Sequence, residues 1–371
     1  MFKVFVLLGL SLGVSALVLP ATDSRIYYTE HNWYADPSGF LETVNAGAYI
    51  KVGFNGSSFT VNLDDTFSKA LAVICWSVDG GPEQNYTLPG ASKIITIATG
   101  LKKDVTHSLY LFLRNHVEGN RWFNPATRLR IMSVSIDDDA VLFTPKLAPK
   151  RLLAYWDSIG EGAFVNGDIP WQYAHDAHLT WAFSLALGLN AELSLVAFGA
   201  QGYTKGGSGN SPRLYDDSGL CSKSAWGCLS AHYKRTFATC PDYIINGHGT
   251  NDGGACGGSE SYVVYQGALE WLKAIRGVCP KSQVFLTVPF GQFCEATLVK
   301  AYNDYQAKAS DPLAHLIQMG EEGSAGLQGS GPSFASVDGL HPWGWKSSQL
   351  GALLVAKITP FLNRANTLME L

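Results

Sequence analysis

The 371-residue chain is short of charge. Asp, Glu, Lys and Arg make up 16% of it, against roughly a quarter in an average soluble domain. It has no run of Lys or Arg, its formal net charge is −4, and so the basic footprint of a nucleic-acid-binding surface is excluded. Beyond the first residues it has no apolar run of about 18 residues, so no membrane-spanning helix is expected in the mature chain. No CxxC pair and no paired-histidine spacing accompany its cysteines, so no zinc site is expected. Gly253-Gly254 and Gly257-Gly258 lack the lysine and the strand context of a phosphate loop. No metal and no cofactor is implied. What is present is glycine, at 39 residues, and aromatics, at 10 Trp, 16 Tyr and 18 Phe. Hydrophobic residues reach 46%, enough to bury a large core, so disorder is excluded as the main state. The length suits two domains or one large one.

The N-terminus reads as an export signal. Lys3 supplies the positive charge, Val4 to Val14 an almost unbroken apolar stretch, and Val14-Ser15-Ala16 the small residues before a cut. Cleavage after Ala16 is expected, giving a secreted protein. Seven cysteines fit an oxidising compartment. Six of them, Cys221, Cys228, Cys240, Cys256, Cys279 and Cys294, lie close together in sequence and are expected to form disulfides in one of 15 pairings. Cys75, in the apolar run Leu71–Trp76, is expected to be a buried thiol. Two glycosylation sequons, Asn55-Gly56-Ser57 and Asn85-Tyr86-Thr87, fall at expected turns.

The two halves have different periodicities. From about residue 24 to 145 the pattern is short strands and turns. Tyr49–Phe54, Asn55-Gly56 and Phe59–Leu63 read as a hairpin with an Asn-Gly turn. Leu71–Val78, Lys93–Ala98, Ser108–Leu113, Leu129–Ile136 and Val141–Thr144 are further strand candidates. This is the pattern of a β-sandwich or jelly roll. From Arg151 strand and helix alternate. Strands are expected at Leu152–Trp156, Leu193–Phe198, Tyr243–Ile245, Val284–Val288 and His315–Gln318. Helices are expected at Ala174–Leu187, Ser261–Arg276, Ala296–Ala309 and about 346–359. The last carries Leu350, Leu353, Leu354 and Ile358 on one face. That alternation gives a parallel sheet with helices on both faces, whose working residues sit beyond the C-terminal ends of its strands. The division is a signal over 1–16, a sandwich over 17–147 and an α/β domain over 148–371.

Three strand ends carry the chemistry. Asp157-Ser158-Ile159-Gly160 follows the first strand and places a serine hydroxyl at the carboxyl edge of the sheet. Gly249-Thr250-Asn251-Asp252 offers an amide that can donate to an oxyanion. Asp338-Gly339-Leu340-His341-Pro342 sets a carboxylate three residues from an imidazole, able to bond Nδ1–H and leave Nε2 to take a proton. Each piece alone is ordinary cap or turn chemistry. Together, with the Gly-rich turn Ala197–Gly202, they are the parts of acyl transfer.

These blocks resemble the SGNH, or GDSL-type, hydrolases. The resemblance implies a flavodoxin-like doubly wound parallel sheet, with Ser158 as nucleophile, His341 as base and Asp338 orienting it. It implies an oxyanion hole made of the Ser158 N–H, the Gly202 N–H and the Asn251 amide. Gly199 is the competing register for Gly202, because Ala200 interrupts the usual Ser-Gly pattern. Trp156 stands where the family usually has glycine. The strand-rich half, with Gly100-Leu101 and His107–Arg114 ahead of such a domain, resembles carbohydrate esterase family 2, whose members deacetylate plant polysaccharides. This resemblance implies a serine acetylesterase acting on acetylated carbohydrate; with the export signal, a secreted, monomeric enzyme is expected. A lipid esterase or thioesterase of the GDSL type, or a non-catalytic carbohydrate-binding protein on the same fold, are the alternatives. The 203–230 insertion is Gly- and Ser-rich with scattered aromatics, which favours a polar ligand. His175 and His178 read as surface or capping groups, His248 as a support for the site, and Asp252 as an N-cap or loop brace. Trp181 and Trp271 read as core.

Overall fold

The computed structural model describes residues 16–64, 71–90, 92–116, 119–123, 128–258, 261–325, 327 and 335–369. Residues 1–15, most of the expected export signal, lie outside them. Among the described residues no helix is long and apolar enough to cross a membrane.

The first half is a sandwich of two antiparallel sheets. One runs, in spatial order, Tyr34–Ala35, Leu41–Thr43, Leu129–Asp137, Phe59–Leu63 and Ile94–Ala98, with Ala16–Pro20 also paired to Leu129–Asp137. The other runs Leu142–Phe143, Tyr49–Phe54, His107–His116, Ala72–Val78 and Gln84–Leu88, with Tyr27–Tyr28 beside Tyr49–Phe54. Phe59, Val61 and Leu63 are buried while Thr60 and Asn62 are half-buried. That alternation packs one face inward and leaves the other to solvent.

The expected hairpin is not one. Tyr49–Phe54 and Phe59–Leu63 belong to opposite sheets, so Asn55-Gly56 turns the chain across the sandwich. The side chains of this corner explain it. Asn55 Oδ1 accepts from Val141 N at 2.6 Å, and Ser57 donates N–H and hydroxyl to Asp137 at 2.5 and 2.8 Å. These bonds tie the corner to the far sheet. Gly56, at φ 112°, leaves no room for a Cβ, which would lie 2.8 Å from Ala140. Asn85 is in a strand rather than a turn, exposed on Gln84–Leu88.

The second half is a five-stranded parallel sheet: β1 (Lys150–Trp156), β2 (Ala191–Ala197), β3 (Tyr243–Asn246), β4 (Gln283–Thr287) and β5 (Ala314–Ile317), in spatial order β2-β1-β3-β4-β5. All five residues of β4 are buried, as a sheet covered on both faces requires. The helices are α1 (Ser158–Glu161), α2 (Trp171–Ala174), α3 (Trp181–Gly188), α4 (Gly253–Cys256), α5 (Ser261–Val278), α6 (Glu295–Ala309), α7 (Gly320–Ser324) and α8 (Gly344–Met369). Trp181 and Leu185 of α3 and Leu350, Leu354 and Ile358 of α8 join the core on one face; Trp271 of α5 and Leu298 of α6 join the core on the other. The helix expected over Ala174–Leu187 is three pieces. Asp176 caps a short 3-10 turn at Ala177–Leu179, accepting from His178 N at 2.9 Å, and extended residues at His175 and Thr180 separate it from its neighbours.

Three disulfides brace the loops: Cys221–Cys228, Cys240–Cys279 and Cys256–Cys294. Cys75 is free and buried. The halves lock together through side chains. Glu192 at the start of β2 takes the Tyr49 hydroxyl at 2.5 Å and the Lys51 ammonium at 2.7 Å. His178 is no surface group: its ring stacks on Phe112, centroids 3.4 Å apart, between the two halves.

Candidate active site

β1 delivers Ser158. The strand ends at Trp156, Asp157 caps α1 by accepting from Ile159 N at 3.0 Å, and Ser158 is the first residue of that helix. The first turn of a helix leaves its N–H groups without intrahelical acceptors, so the Ser158 N–H is directed out of the helix. Trp156 fits where a glycine is usual because its neighbours make room. Gly160 sits against its Cβ, and Gly247, beyond the end of β3, lies under its ring: a Cβ added at Gly247 would fall 1.9 Å from the indole.

The loop before α8 brings His341 to Ser158. His341 Nε2 lies 2.8 Å from Ser158 Oγ, and Nδ1 lies 2.7 Å from Asp338 Oδ2. Asp338 Oδ1 also accepts the backbone N–H groups of Leu340 and His341, at 3.0 and 2.8 Å. A carboxylate facing Nδ1 keeps the proton there and leaves Nε2 to accept from the serine. Burial acts to raise the Asp338 carboxyl, but the bonds from the His341 ring and backbone outweigh it and hold Asp338 well below the usual carboxylate range. Asp338 thus stays an anion opposite the imidazole.

Asn251 follows β3. Its Nδ2 donates to Gln201 O at 3.1 Å and reaches Asp157 Oδ2 at 3.3 Å. Asp157 is therefore buried between the Ser158 helix and the Asn251 loop. Burial pushes its carboxyl up to about 6, against the pull of the Ile159 N–H. The turn after β2 is fixed from below by Asp252, which accepts Tyr203 N and Thr204 N, each at 2.9 Å, and the Thr204 hydroxyl at 2.7 Å. Asp252 is the loop brace that its position suggests. Gly202 packs on it so closely that a Cβ would lie 2.5 Å from both carboxylate oxygens.

Neither glycine offers an idle N–H. The Gly202 N–H donates to Lys205 O at 3.1 Å, and the Gly199 N–H to Glu161 Oε2 at 2.7 Å. An oxyanion at Gly202 must compete with a long backbone bond; at Gly199 it must compete with a carboxylate. His248 lies beneath, with Nδ1 2.8 Å from Asn246 Oδ1 and Nε2 3.0 Å from Gln201 Oε1. Burial pushes it down to about 3, and its two ring nitrogens link the β3 end to the Gln201 turn.

Two aromatic neighbours of the site lie outside every motif. Phe164 stands 5.3 Å from the His341 ring and 4.9 Å from His175. His175 is buried against Phe164 and Trp171, not at the surface, and burial pushes it down to about 4. Nothing in the local sequence marks them, since their placement depends on the break between α2 and α3. Among the described residues no cluster of three or more His, Cys, Asp or Glu is arranged to hold a metal ion.

No protein-family model matches the chain, and no curated protein sequence matches it. Solved structures do. A family two carbohydrate esterase from Cellvibrio japonicus superposes with a TM-score of 0.74 at 15% identity, covering 94% of this chain and 98% of that one. An acetyl xylan esterase from the rumen bacterium Butyrivibrio proteoclasticus gives 0.73 at 17% identity, covering 94% and 98%. A salicylyl-acyltransferase from a tetracycline biosynthetic pathway gives 0.60 at 15% identity, covering 93% and 98%. At these identities the likeness is one of fold, and it spans both halves: the chain has the fold of the family two carbohydrate esterase structures, a β-sandwich followed by a five-stranded parallel α/β sheet.

Proposed function

We propose that the protein is a secreted serine esterase that removes acetyl groups from carbohydrate. One observation carries the reading: the Asp338, His341 and Ser158 side chains form a continuous relay, with links of 2.7 and 2.8 Å, at the carboxyl edge of the parallel sheet. Ser158 attacks the ester carbonyl while His341 Nε2 takes its proton and Asp338 balances the imidazolium. The carbonyl oxygen becomes an oxyanion against the Ser158 N–H, with the Asn251 amide joining as an N–H turns from its long bonds to Gln201 O and Asp157, and Gly202 as its N–H leaves Lys205. His341 then returns the proton to the departing sugar hydroxyl. Water repeats the sequence on the acetyl-enzyme and releases acetate.

Carbohydrate as the substrate is supported by the fold shared with family 2 esterases and by the polar 203–230 segment. Export is supported by the N-terminal signal pattern and the three disulfides. The test is acetate release from acetylated xylan, glucomannan, pectin and chitin oligomers, with a chain-length series of p-nitrophenyl esters. Acetate release from at least one glycan, and turnover fading beyond butyrate, are expected. Preference for long acyl chains with no glycan turnover would replace this reading with a lipid esterase.

A further inference from the structure

We propose that the β-sandwich supplies a positioning residue to the esterase site: Arg121, whose ion pair with Glu161 fixes both the helix carrying Ser158 and the turn after β2. The proposal rests on the esterase reading above and adds to it a part from outside the hydrolase half.

Arg121 belongs to the segment 119–123, between the sandwich strands His107–His116 and Leu129–Asp137. It is fully buried in the other half of the molecule. Its Nη1 lies 2.6 Å from Glu161 Oε1, with both side chains out of solvent. Its Nη2 donates to Ser208 Oγ at 2.7 Å, and its guanidinium lies over the Phe198 ring at 5.0 Å. Glu161 is the last residue of α1, three positions and about one turn from Ser158. Its second oxygen takes the Gly199 N–H at 2.7 Å. One carboxylate therefore joins the Ser158 helix to the turn that holds Gly202, and Arg121 is the charge that makes a buried carboxylate tolerable there.

Removing one partner of a buried ion pair leaves an uncompensated charge, which is far more disruptive than replacing both. Here the uncompensated charge would be an anion about one helical turn from the carbonyl oxygen that must itself become negative, opposing the field an oxyanion hole provides. Glu161 would also be free to leave Gly199 and loosen the turn. The anchoring of the segment does not depend on the Arg121 side chain. Arg121 N and Trp122 N both donate to Gly209 O, at 2.8 and 3.1 Å, and the buried Trp122 donates from Nε1 to Cys221 O at 2.6 Å and packs edge-on against Phe198. Changes at the guanidinium can thus be read without undocking the halves.

The test uses the full chain, with p-nitrophenyl acetate kinetics and thermal melting for wild type, Arg121→Met, Glu161→Gln and the Arg121→Met/Glu161→Gln pair. Arg121→Met is expected to lower kcat by about 10- to 100-fold with KM changed less than about threefold, because misplacement strikes the transition state more than binding. The double variant keeps an amide oxygen for the Gly199 N–H and leaves no lone charge, so it is expected to recover kcat to within about fivefold of wild type. If Arg121→Met does not fold, the double variant against Glu161→Gln alone, which strands the guanidinium, carries the same comparison. A folded Arg121→Met with wild-type kcat, or a double variant no better than the single ones, would overturn the proposal. Activity that survives Ser158→Ala would instead overturn the esterase reading itself, so the two failures are told apart.

Discussion

The two halves of the chain bury their cores in different ways, and the difference says where function can sit. In the sandwich, Phe59–Leu63 alternates buried and half-buried residues, and its two sheets shield one shared core. In the α/β half, β4 is buried throughout and the sheet separates two cores. A sheet covered on both faces exposes its chemistry only where strands end. Ser158, Asn251 and the turn holding Gly202 all sit just beyond the C-terminal ends of β1, β3 and β2, where backbone N–H groups and side chains converge. The sandwich has no such edge. Among the described residues, it reaches the turn after β2 from a loop, with Arg121 and Trp122.

Changes at the strand ends and in the sandwich core should therefore differ in kind. The largest effect is expected from Ser158→Ala, which should lower p-nitrophenyl acetate turnover by about 10⁴-fold or more without moving the melting temperature. Asn251→Ala should cost about 10² to 10³ in kcat, less if the Gly202 N–H turns from Lys205 to the oxyanion. A kcat within threefold of wild type would remove Asn251 from the oxyanion hole.

Asp157 sharpens the contrast, because a residue at the site should weaken the fold. Burial holds its carboxyl up at about 6 from an ordinary 3.8. The folded protein thus binds this proton more tightly than the unfolded chain does. That stabilisation is present below the ordinary value and is lost as the pH rises through about 6. Asp157→Asn still caps α1 and does not titrate. Its stability relative to wild type should rise between pH 4.5 and 8 by roughly 1–3 kcal/mol. Melting curves at the two pH values check this; a constant gap would show that Asp157 is not strained by burial.

In the sandwich, Leu111→Ala should cost roughly 2–5 kcal/mol in unfolding free energy, as the loss of a fully buried leucine does. Activity per folded molecule should stay at the wild-type value. A matching loss of kcat would mean that the halves do not divide stability from chemistry as described.

The site was more legible in the sequence than the path of the chain around it. Ser158, Asn251, Asp338 and His341 lie in short local patterns that are each ordinary cap or turn chemistry alone but together point to acyl transfer, and the structure brings these strand ends together. Asp338 and His341, three residues apart, need only one loop to meet. Arg121 and Glu161 are not legible, because their pairing depends on how the two halves dock. Other departures have the same cause. Apolar residues run on from Ala174 to Leu187, but Asp176 spends its carboxylate on His178 N and breaks the helix. Asn55-Gly56 has the composition of a hairpin turn, yet Asp137, distant in sequence, draws the corner across to the other sheet. Gln84–Leu88 is an edge strand, mostly polar and with Leu88 alone buried, so no hydrophobic alternation announces it. The indole at Trp156 is explained by Gly247, on a neighbouring strand end, which no local pattern connects with it.

The central claim is that His341 activates Ser158 as the nucleophile. Intact-mass analysis after exposure to diisopropyl fluorophosphate tests it most directly. One adduct, mapped to Ser158, is expected on the wild type, none on Ser158→Ala, and much slower labelling on His341→Ala. Labelling at another residue, or equal rates with and without His341, would contradict the account.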